Sequence, residues 1–381
     1  MKMDKIKAAI VGCGSISDIY MSNFTSGKFT VIELIGCSDL DKDRMEEKAQ
    51  KYNIKAMTFE EICADSEIEL VINLTTPNAH YSITKQSLLS GKHVWSEKMI
   101  AVNLEEGEEL VALANEKKLH LGVAPDTFLG ASIQTAKYVV DAGLIGEPIS
   151  CRASVSRDYG AFGEFLPHLH KEGAGIGFDM GGYYLTALAS ILGPVESVYG
   201  YTSIHKPIRR NTRIGESGFD QEYQIEVPNV LTALLKYKNG VLGTLHMNSD
   251  SILKEKTNLE IYGTDGILIM GDPNLFGPEL YLQKESGDEL LIPFTHGYQE
   301  NSRGLGAAEM AWAILKGREH RASKEMAFHI FEMMHGIMIS SKERKEYTLK
   351  SDFVIPDPLP GSYIGDGTWT RKEESALIGN S

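Results

Sequence analysis

The sequence predicts an α/β protein in two parts. An N-terminal doubly wound parallel sheet comes first, then a C-terminal α/β domain built on a large, open, mostly antiparallel sheet. Three observations carry this. Short apolar runs alternate with amphipathic helical stretches over the first 125 residues. The first strand–helix turn, in "IVGCGSISDIY", holds the glycine pair Gly12 and Gly14. Beyond residue 125 the alternation gives way to strand-like segments separated by turn signals. At 381 residues the chain is long enough for two cores.

The elements read in order. "KIKAAIVG" is continuously apolar, as a strand covered on both faces is, and "VIELIGCSD", "LVINLTT", "HVWSEK" and "HLGVAP" follow it. Helical patterns separate them: "DKDRMEEKAQKYN", "NAHYSITKQSLLSG" and "NLEEGEELVALANEKKL". The last opens on Asn103 and Glu106, spaced as a capping box. After residue 125 a helix, "ASIQTAKYVVDAG", leads to the alternating strand "PISCRASVSRDYG". The glycine-rich "KEGAGIGFDMGGYYLTALASILG" then runs into a buried helix. "VLTALLKYKNG", "VLGTLHMNSD", "NLEIYGTDGILIMG" and "ELYLQ" are strands, punctuated by Lys-Asn-Gly and Gly-Thr-Asp-Gly turns. Two late helices, "AAEMAWAILKG" and "KEMAFHIFEMMHGIMISSK", complete the set. The expected division is a nucleotide-binding domain over 1–125, a substrate-binding and oligomerisation domain over 126–350, and an extended tail over 351–381.

Composition narrows the function. A net charge of −14 without a basic stripe argues against nucleic acid and anionic membranes as partners. No apolar run approaches the roughly 20 residues of a membrane span, and the N-terminus lacks signal-peptide architecture, so a cytoplasmic protein is expected. Cys13, Cys37, Cys63 and Cys151 form no Cys-x-x-Cys pair and read as small buried side chains in a reducing compartment.

A strand before Gly12 and a helix after it make the opening loop a dinucleotide-binding turn. Gly12 permits the tight bend, and Gly14 lets the backbone approach a pyrophosphate held by the N–H groups around Ser15 and Ile16. Ser17 takes the place of a third glycine and is small enough for close helix packing. Asp39 ends the second strand, near the roughly 20-residue offset at which a carboxylate accepts from ribose hydroxyls. Its charge repels a 2′-phosphate and no arginine follows immediately, so NAD is favoured over NADP. Thr75, Thr76, Pro77, Asn78 and His80 follow the fourth strand, and Glu97 and Lys98 the fifth. Both groups fall on the sheet's carboxyl edge, where such folds bind ligands.

Taken together, "GCGSIS", "TTPNAH", "EK" after the fifth strand and "GAGIGFDMGGYY" resemble the Gfo/Idh/MocA family, over roughly residues 5–345. The resemblance implies an N-terminal Rossmann domain, a C-terminal α/β domain with an open sheet, and a homo-oligomer paired through that sheet. It also implies hydride transfer between a nicotinamide and a sugar or cyclitol carbon. The family's Glu-Lys-Pro signature falls on Glu97 and Lys98, with Met99 in place of proline. Its Asp-x-Gly-x-His motif falls on Asp179, Gly181 and Tyr183. The family's histidine is the acid/base in many members, so the resemblance makes Lys98, Asp179 and Tyr183 catalytic. Tyrosine has an ordinary pKa of about 10, and the expectation is that the Lys98 ammonium lowers it while Asp179 orients the lysine or the substrate. Asp126 stands where many members carry arginine, and is assigned with Arg157 to substrate binding.

His168 and His170, two apart in "LPHLHKEG", are the remaining pocket candidates and the alternative proton acceptors. No Cys/His cluster or His-Glu-x-x-His supplies further ligands, so no metal is expected. The reading is an NAD(P)-dependent dehydrogenase acting on CH–OH donors. It oxidises a secondary hydroxyl of a pyranose sugar or glycoside, with a glucoside 3-hydroxyl going to the 3-keto product favoured. An inositol dehydrogenase or a keto- or anhydro-sugar reductase is the alternative within the class. A non-catalytic NAD-binding regulator or partner subunit is the alternative outside it.

Overall fold

The two sheets predicted from the sequence are both present in the computed structural model, which describes residues 5–159, 167–171, 173–212, 214–215 and 218–361. Side chains at 167, 168 and 252–256 are outside that description. The first sheet comprises β1 (Ile6–Val11), β2 (Ile32–Ser38), β3 (Lys55–Ala56), β4 (Leu70–Asn73), β5 (His93–Ser96) and β6 (Leu121–Val123). Its order is β3-β2-β1-β4-β5-β6, and every pairing is parallel. Helices α1 (Ser17–Thr25), α2 (Lys42–Tyr52), α3 (Phe59–Ala64), α4 (Pro77–Leu89) and α5 (Leu104–Lys117) make the crossovers. The strand order reverses between β1 and β4, and that switch point opens a crevice at the carboxyl edge.

Local chemistry sets the helix ends. Asp41 accepts from Arg44 N–H (3.1 Å) to start α2, which stops at Asn53 in the left-handed region. Asn103 accepts from Glu106 N–H (3.0 Å) to start α5, but the Glu106 carboxylate reaches back to Val102 N–H rather than to Asn103. The reciprocal capping box forms instead at Thr58 and Glu61, ahead of the six-residue α3.

Among the described residues, the second sheet has nine strands, drawn from the eleven that follow and ordered β16-β15-β14-β13-β7-β12-β11-β8-β17. Numbered along the chain, the strands are β7 (Pro148–Asp158), β8 (Val195–Ser203), β9 (Ile208–Arg210), β10 (Glu222–Gln224), β11 (Val230–Tyr237) and β12 (Leu242–Asn248). They continue as β13 (Asp250–Gly263), β14 (Ile267–Met270), β15 (Leu280–Gln283), β16 (Glu289–Leu291) and β17 (Tyr347–Thr348). β9 and β10 form a separate antiparallel pair. Within the nine, β7 and β12 run parallel and the other pairings are antiparallel. Along β11 and β12 buried and exposed residues alternate, as in a sheet with one covered face. Helices α6 (Ala131–Asp141), α7 (Gly182–Leu192), α8 (Leu305–Lys316) and α9 (Lys324–Glu343) follow the second half of the chain. No described helix is long and apolar enough to cross a membrane.

The tail runs without regular structure from 349 to 360, yet it is anchored. Leu359 and Phe353 are buried, and the Arg321 guanidinium donates to the carbonyls of Asp357 and Pro358. Residues 362–381 lie outside the described part.

Burial has a consequence for acid stability. His93, His320, His329 and His335 are each held by burial at a pKa of about 4, below the ordinary 6.5. The unfolded chain takes up these protons near pH 6.5 and the folded chain only near 4. Their stabilising contribution is therefore complete above 6.5 and lost as the pH falls toward 4. Scanning calorimetry should show a lower Tm at pH 5 than at pH 7.5; equal values would refute the assignment of neutral buried rings.

Candidate active site

The glycine loop has the shape its sequence suggested. Gly12 adopts φ +100°, and a Cβ there would lie 2.7 Å from the Leu74 backbone of the neighbouring loop. A Cβ on Gly14 would meet nothing within 4 Å, so this side of the turn is open. Ser17 is fully buried and its Oγ donates to the Gly14 carbonyl (2.7 Å), which fixes the turn into α1. Ser15 is exposed and Ile16 partly so, and no side chain caps the start of α1. Uncapped N–H groups and the helix dipole there suit an anionic pyrophosphate. The residues present therefore fit a dinucleotide.

Asp39 is more heavily engaged than its sequence position suggested. Its carboxylate accepts from the N–H groups of Cys13 (2.7 Å) and Asp41 (2.9 Å) and pairs with Arg44 (2.7 Å). No arginine follows Asp39 directly, but Arg44, one helical turn into α2, folds back onto it. The cation that could meet a 2′-phosphate is thus present and held by the carboxylate. These contacts keep Asp39 ionised, its pKa held below the carboxylate norm against burial mainly by the Arg44 hydrogen bond.

At the carboxyl edge of β4, Thr75 Oγ1 donates to Asn73 (2.6 Å), Thr76 and Asn78 are exposed, and Pro77 is the first residue of α4. His80 corrects the sequence reading. Its ring is buried, with Nδ1 2.6 Å from the Met99 carbonyl and Nε2 3.0 Å from that of Thr75. The neutral ring donates to one of these carbonyls and sits wedged between the loop after β4 and the loop after β5, so the side chain braces the site and does not reach into it.

Beyond β5 the chemistry concentrates. Lys98 Nζ donates to Asp179 Oδ1 (2.6 Å) and to the Asp179 carbonyl (3.0 Å). The other carboxylate oxygen accepts from the Tyr159 hydroxyl (2.5 Å). Tyr183 follows Asp179 through a π-helical turn (Gly177–Gly181) that continues as α7, and its ring centroid lies 5.1 Å from Lys98 Nζ. The ammonium therefore stands over the ring face. Burial pushes Lys98 down, but Asp179 and its neighbours outweigh that and raise it well above the ordinary lysine value. Asp179 is lowered despite its burial, chiefly by Lys98. Lysine and carboxylate are both charged at neutral pH.

Tyr183 departs from expectation. Its phenol is raised above 10.0: burial outweighs the lowering by Lys98. Tyr183 is thus a protonated phenol at neutral pH. A second cation faces it, since Arg303, held by Asn274 (2.8 Å) and Asn301 (2.9 Å), lies against the phenol and favours its ionised form.

The other candidates are placed as follows. Asp126 is 2% exposed, and its Oδ2 accepts from Gly304 and Gly306 N–H (2.9 and 3.1 Å) at the start of α8. Burial raises its pKa to about 6. It reads as a helix cap beside Arg303, not as a group open to substrate. Arg157, at the end of β7, lowers Asp179 and so belongs to the cluster. His170 is buried with its ring against Tyr223 (5.1 Å), and the His168 side chain lies outside the described residues. Glu97 is fully occupied, accepting from Tyr20 (2.9 Å) and from Lys98 N–H (3.2 Å). Sequence reasoning missed Tyr20, Tyr159 and Arg303.

Comparison with known proteins agrees with this fold. The profile described as "Oxidoreductase family, NAD-binding Rossmann fold" matches residues 6–124, and that of the GFO/IDH/MocA C-terminal domain matches 133–269. An uncharacterised oxidoreductase of Schizosaccharomyces pombe is 30% identical over 203 residues, 51% of this chain and 54% of its own length. The chain thus spans about half the length of that relative. Trans-1,2-dihydrobenzene-1,2-diol dehydrogenase of Bos taurus is 25% identical over 79% of this chain and 84% of its own. A levoglucosan dehydrogenase solved with NADH and L-sorbose shares the fold, with a TM-score of 0.79 at 17% identity, covering 90% of this chain and 98% of that one. The two matched segments, each falling on one of the two sheets, place this chain in the Gfo/Idh/MocA oxidoreductase family, with an NAD-binding Rossmann fold.

Proposed function

We propose that this protein is an NAD-dependent dehydrogenase of a secondary hydroxyl on a pyranose sugar or glycoside, with a glucoside 3-hydroxyl as the favoured position. The observation that carries it is the charged, largely shielded Lys98, held by Asp179 (itself hydrogen-bonded to Tyr159) over the Tyr183 ring, just past the carboxyl end of β5. The bovine relative is named for a ring carrying adjacent trans hydroxyls. A pyranose presents the same arrangement. The Tyr159 and Tyr183 hydroxyls can hydrogen-bond an uncharged polyol, and Asp179 already balances the charge of Lys98.

Bound NAD supplies the hydride acceptor. The chain's own residues do the rest. The loop around Gly12, Gly14, Ser15 and Ile16 holds the pyrophosphate and Asp39 the ribose. The charged Lys98 hydrogen-bonds the reacting oxygen and stabilises negative charge developing there. Tyr183 exchanges the hydroxyl proton, and Asp179 with Tyr159 fixes the lysine's direction. Turnover with a panel of glucosides, free hexoses, inositols and levoglucosan, followed by NADH absorbance, tests the reading. NAD binding without turnover on any member would favour the regulator alternative.

The cofactor preference has its own test. NAD should bind at least tenfold more tightly than NADP by calorimetry. Asp39→Ala should narrow that gap from both sides, losing ribose hydrogen bonds and freeing Arg44 for a 2′-phosphate. Equal affinities in the unmutated protein would refute it.

We also propose a homo-oligomer paired through the outer face of the large sheet. Tyr201, Leu234 and Leu242 are each 60% exposed there, on β8, β11 and β12. Light scattering should give at least twice the 42.1 kDa mass of one chain, and a mass of one chain would overturn the pairing.

A further inference from the structure

Three histidine rings meet at the opposite, amino edge of the first sheet, where β5 and β6 begin. His120 N–H donates to His93 Nδ1 (2.9 Å), and the two rings are 5.3 Å apart. His320, from the loop between α8 and α9, sets its Nδ1 3.1 Å from His120 Nδ1. The neighbouring Glu319 brings a carboxylate oxygen within 4.8 Å of both histidine ligand atoms. We propose that His120, His320 and Glu319 form a binding site for a divalent transition metal, zinc by the chemistry of the donors, with water completing the shell.

Ligand spacing supports this. A tetrahedral zinc with metal–nitrogen bonds of about 2.0–2.1 Å holds its nitrogens roughly 3.3 Å apart. The two Nδ1 atoms already stand near that separation, and the exposed Glu319 is free to rotate inward. The facing of the two rings supports it too. Two neutral imidazoles facing through Nδ1 need one proton between them. His320 is 4% exposed, so this contact is shielded from water on its side. A metal bound to both Nδ1 lone pairs would take the place of that shared proton.

The charged groups around the cluster are already matched. Arg318 and Arg321 close on the buried Glu309 (2.6 and 2.7 Å), and Lys324 on Glu325 (2.9 Å). Lys324 and Arg318 still oppose a cation, while Glu309 and Glu319 favour one at His120. The ion would fasten the start of β6 to the α8–α9 loop, beside the bridge between Gly122 and Ser323. It would be structural. Lys98 follows β5 at its other end, about 16 Å away along an extended strand.

The experiment uses the full-length protein, stripped with chelator, and Zn²⁺ alone as the probe. Calorimetry and metal analysis after desalting should give one zinc per chain with micromolar affinity, and Tm should rise by several degrees. His120→Gln and Glu319→Gln should each weaken binding at least tenfold and leave NAD affinity and turnover at the unmutated level. Because Glu319 is exposed, its variant keeps the fold and carries the result if His120→Gln does not. Absence of saturable zinc binding in the unmutated protein, or unchanged affinity in the Glu319 variant, would overturn the site.

Discussion

Lys98→Ala is expected to lower kcat by a factor on the order of 10²–10³, the loss that follows removal of one preorganised donor at a developing oxyanion, about 2.7–4 kcal/mol. The lysine is suited to this. It is 16% exposed, it donates two hydrogen bonds to Asp179, and it remains an ammonium at any working pH. It cannot serve as the base, because it keeps its proton. Its contribution is charge and direction, both greater when the negative charge on oxygen is greatest. Substrate KM should therefore move much less than kcat. NAD affinity should change by less than about threefold, since the pyrophosphate and ribose contacts come from α1 and Asp39. A modest fall in Tm will accompany the substitution, because Asp179 is left on Tyr159 with Arg157 nearby. Asp179→Asn separates the two effects: it keeps Lys98 and its charge but loosens its aim, so kcat should fall by less than in Lys98→Ala. A Lys98→Ala enzyme with near-normal kcat would remove the lysine from the mechanism.

The first sheet was legible because its strands are buried on both faces and its helices carry caps close in sequence. β4, for instance, is four consecutive fully buried residues. What escaped was short or distant. α3 is six residues long, yet Thr58 and Glu61 ahead of Ile62 offered a capping-box signal that a careful reading could have used. The β9–β10 pair has three residues a strand and no strong pattern. Asp39 was recognisable by its offset from the glycines. Arg44 was not, because only the fold shows that the first turn of α2 brings it back.

The active-site partners illustrate the same limit. Lys98 and Asp179 are 81 residues apart and were joined in the sequence only through resemblance to a family. Tyr159 ends an alternating strand and looks like any core aromatic. Arg303 lies in an ordinary polar loop. Its position became meaningful only once Asp126 was seen capping α8 beside it. The histidine cluster is the extreme case, with 200 residues between its two facing rings.

Tyr183→Phe is expected to abolish most turnover, by a factor on the order of 10²–10⁴ as for loss of a general acid or base. The substitution keeps the ring under Lys98 and removes only the hydroxyl. Its pH dependence is the sharper result. Burial holds the Tyr183 phenol above 10.0 despite Lys98 and Arg303. A group raised in this way stays protonated through neutral pH. Oxidation of the alcohol needs the phenolate as acceptor, so its rate should climb with pH through and beyond 10. Reduction of the ketone needs the phenol as donor, so its rate should be flat from pH 7 to 9. Near neutrality the site is therefore better prepared for reduction by NADH than for oxidation. Tyr183→Phe should remove the alkaline rise along with the activity. His170→Asn, altering a ring packed on Tyr223, should leave the rise in place, as should His168→Asn. If Tyr183→Phe stays active and a histidine variant loses the pH dependence, the proton belongs to the histidine. If oxidation already levels off below pH 8 in the unmutated enzyme, the phenol is not the group that titrates.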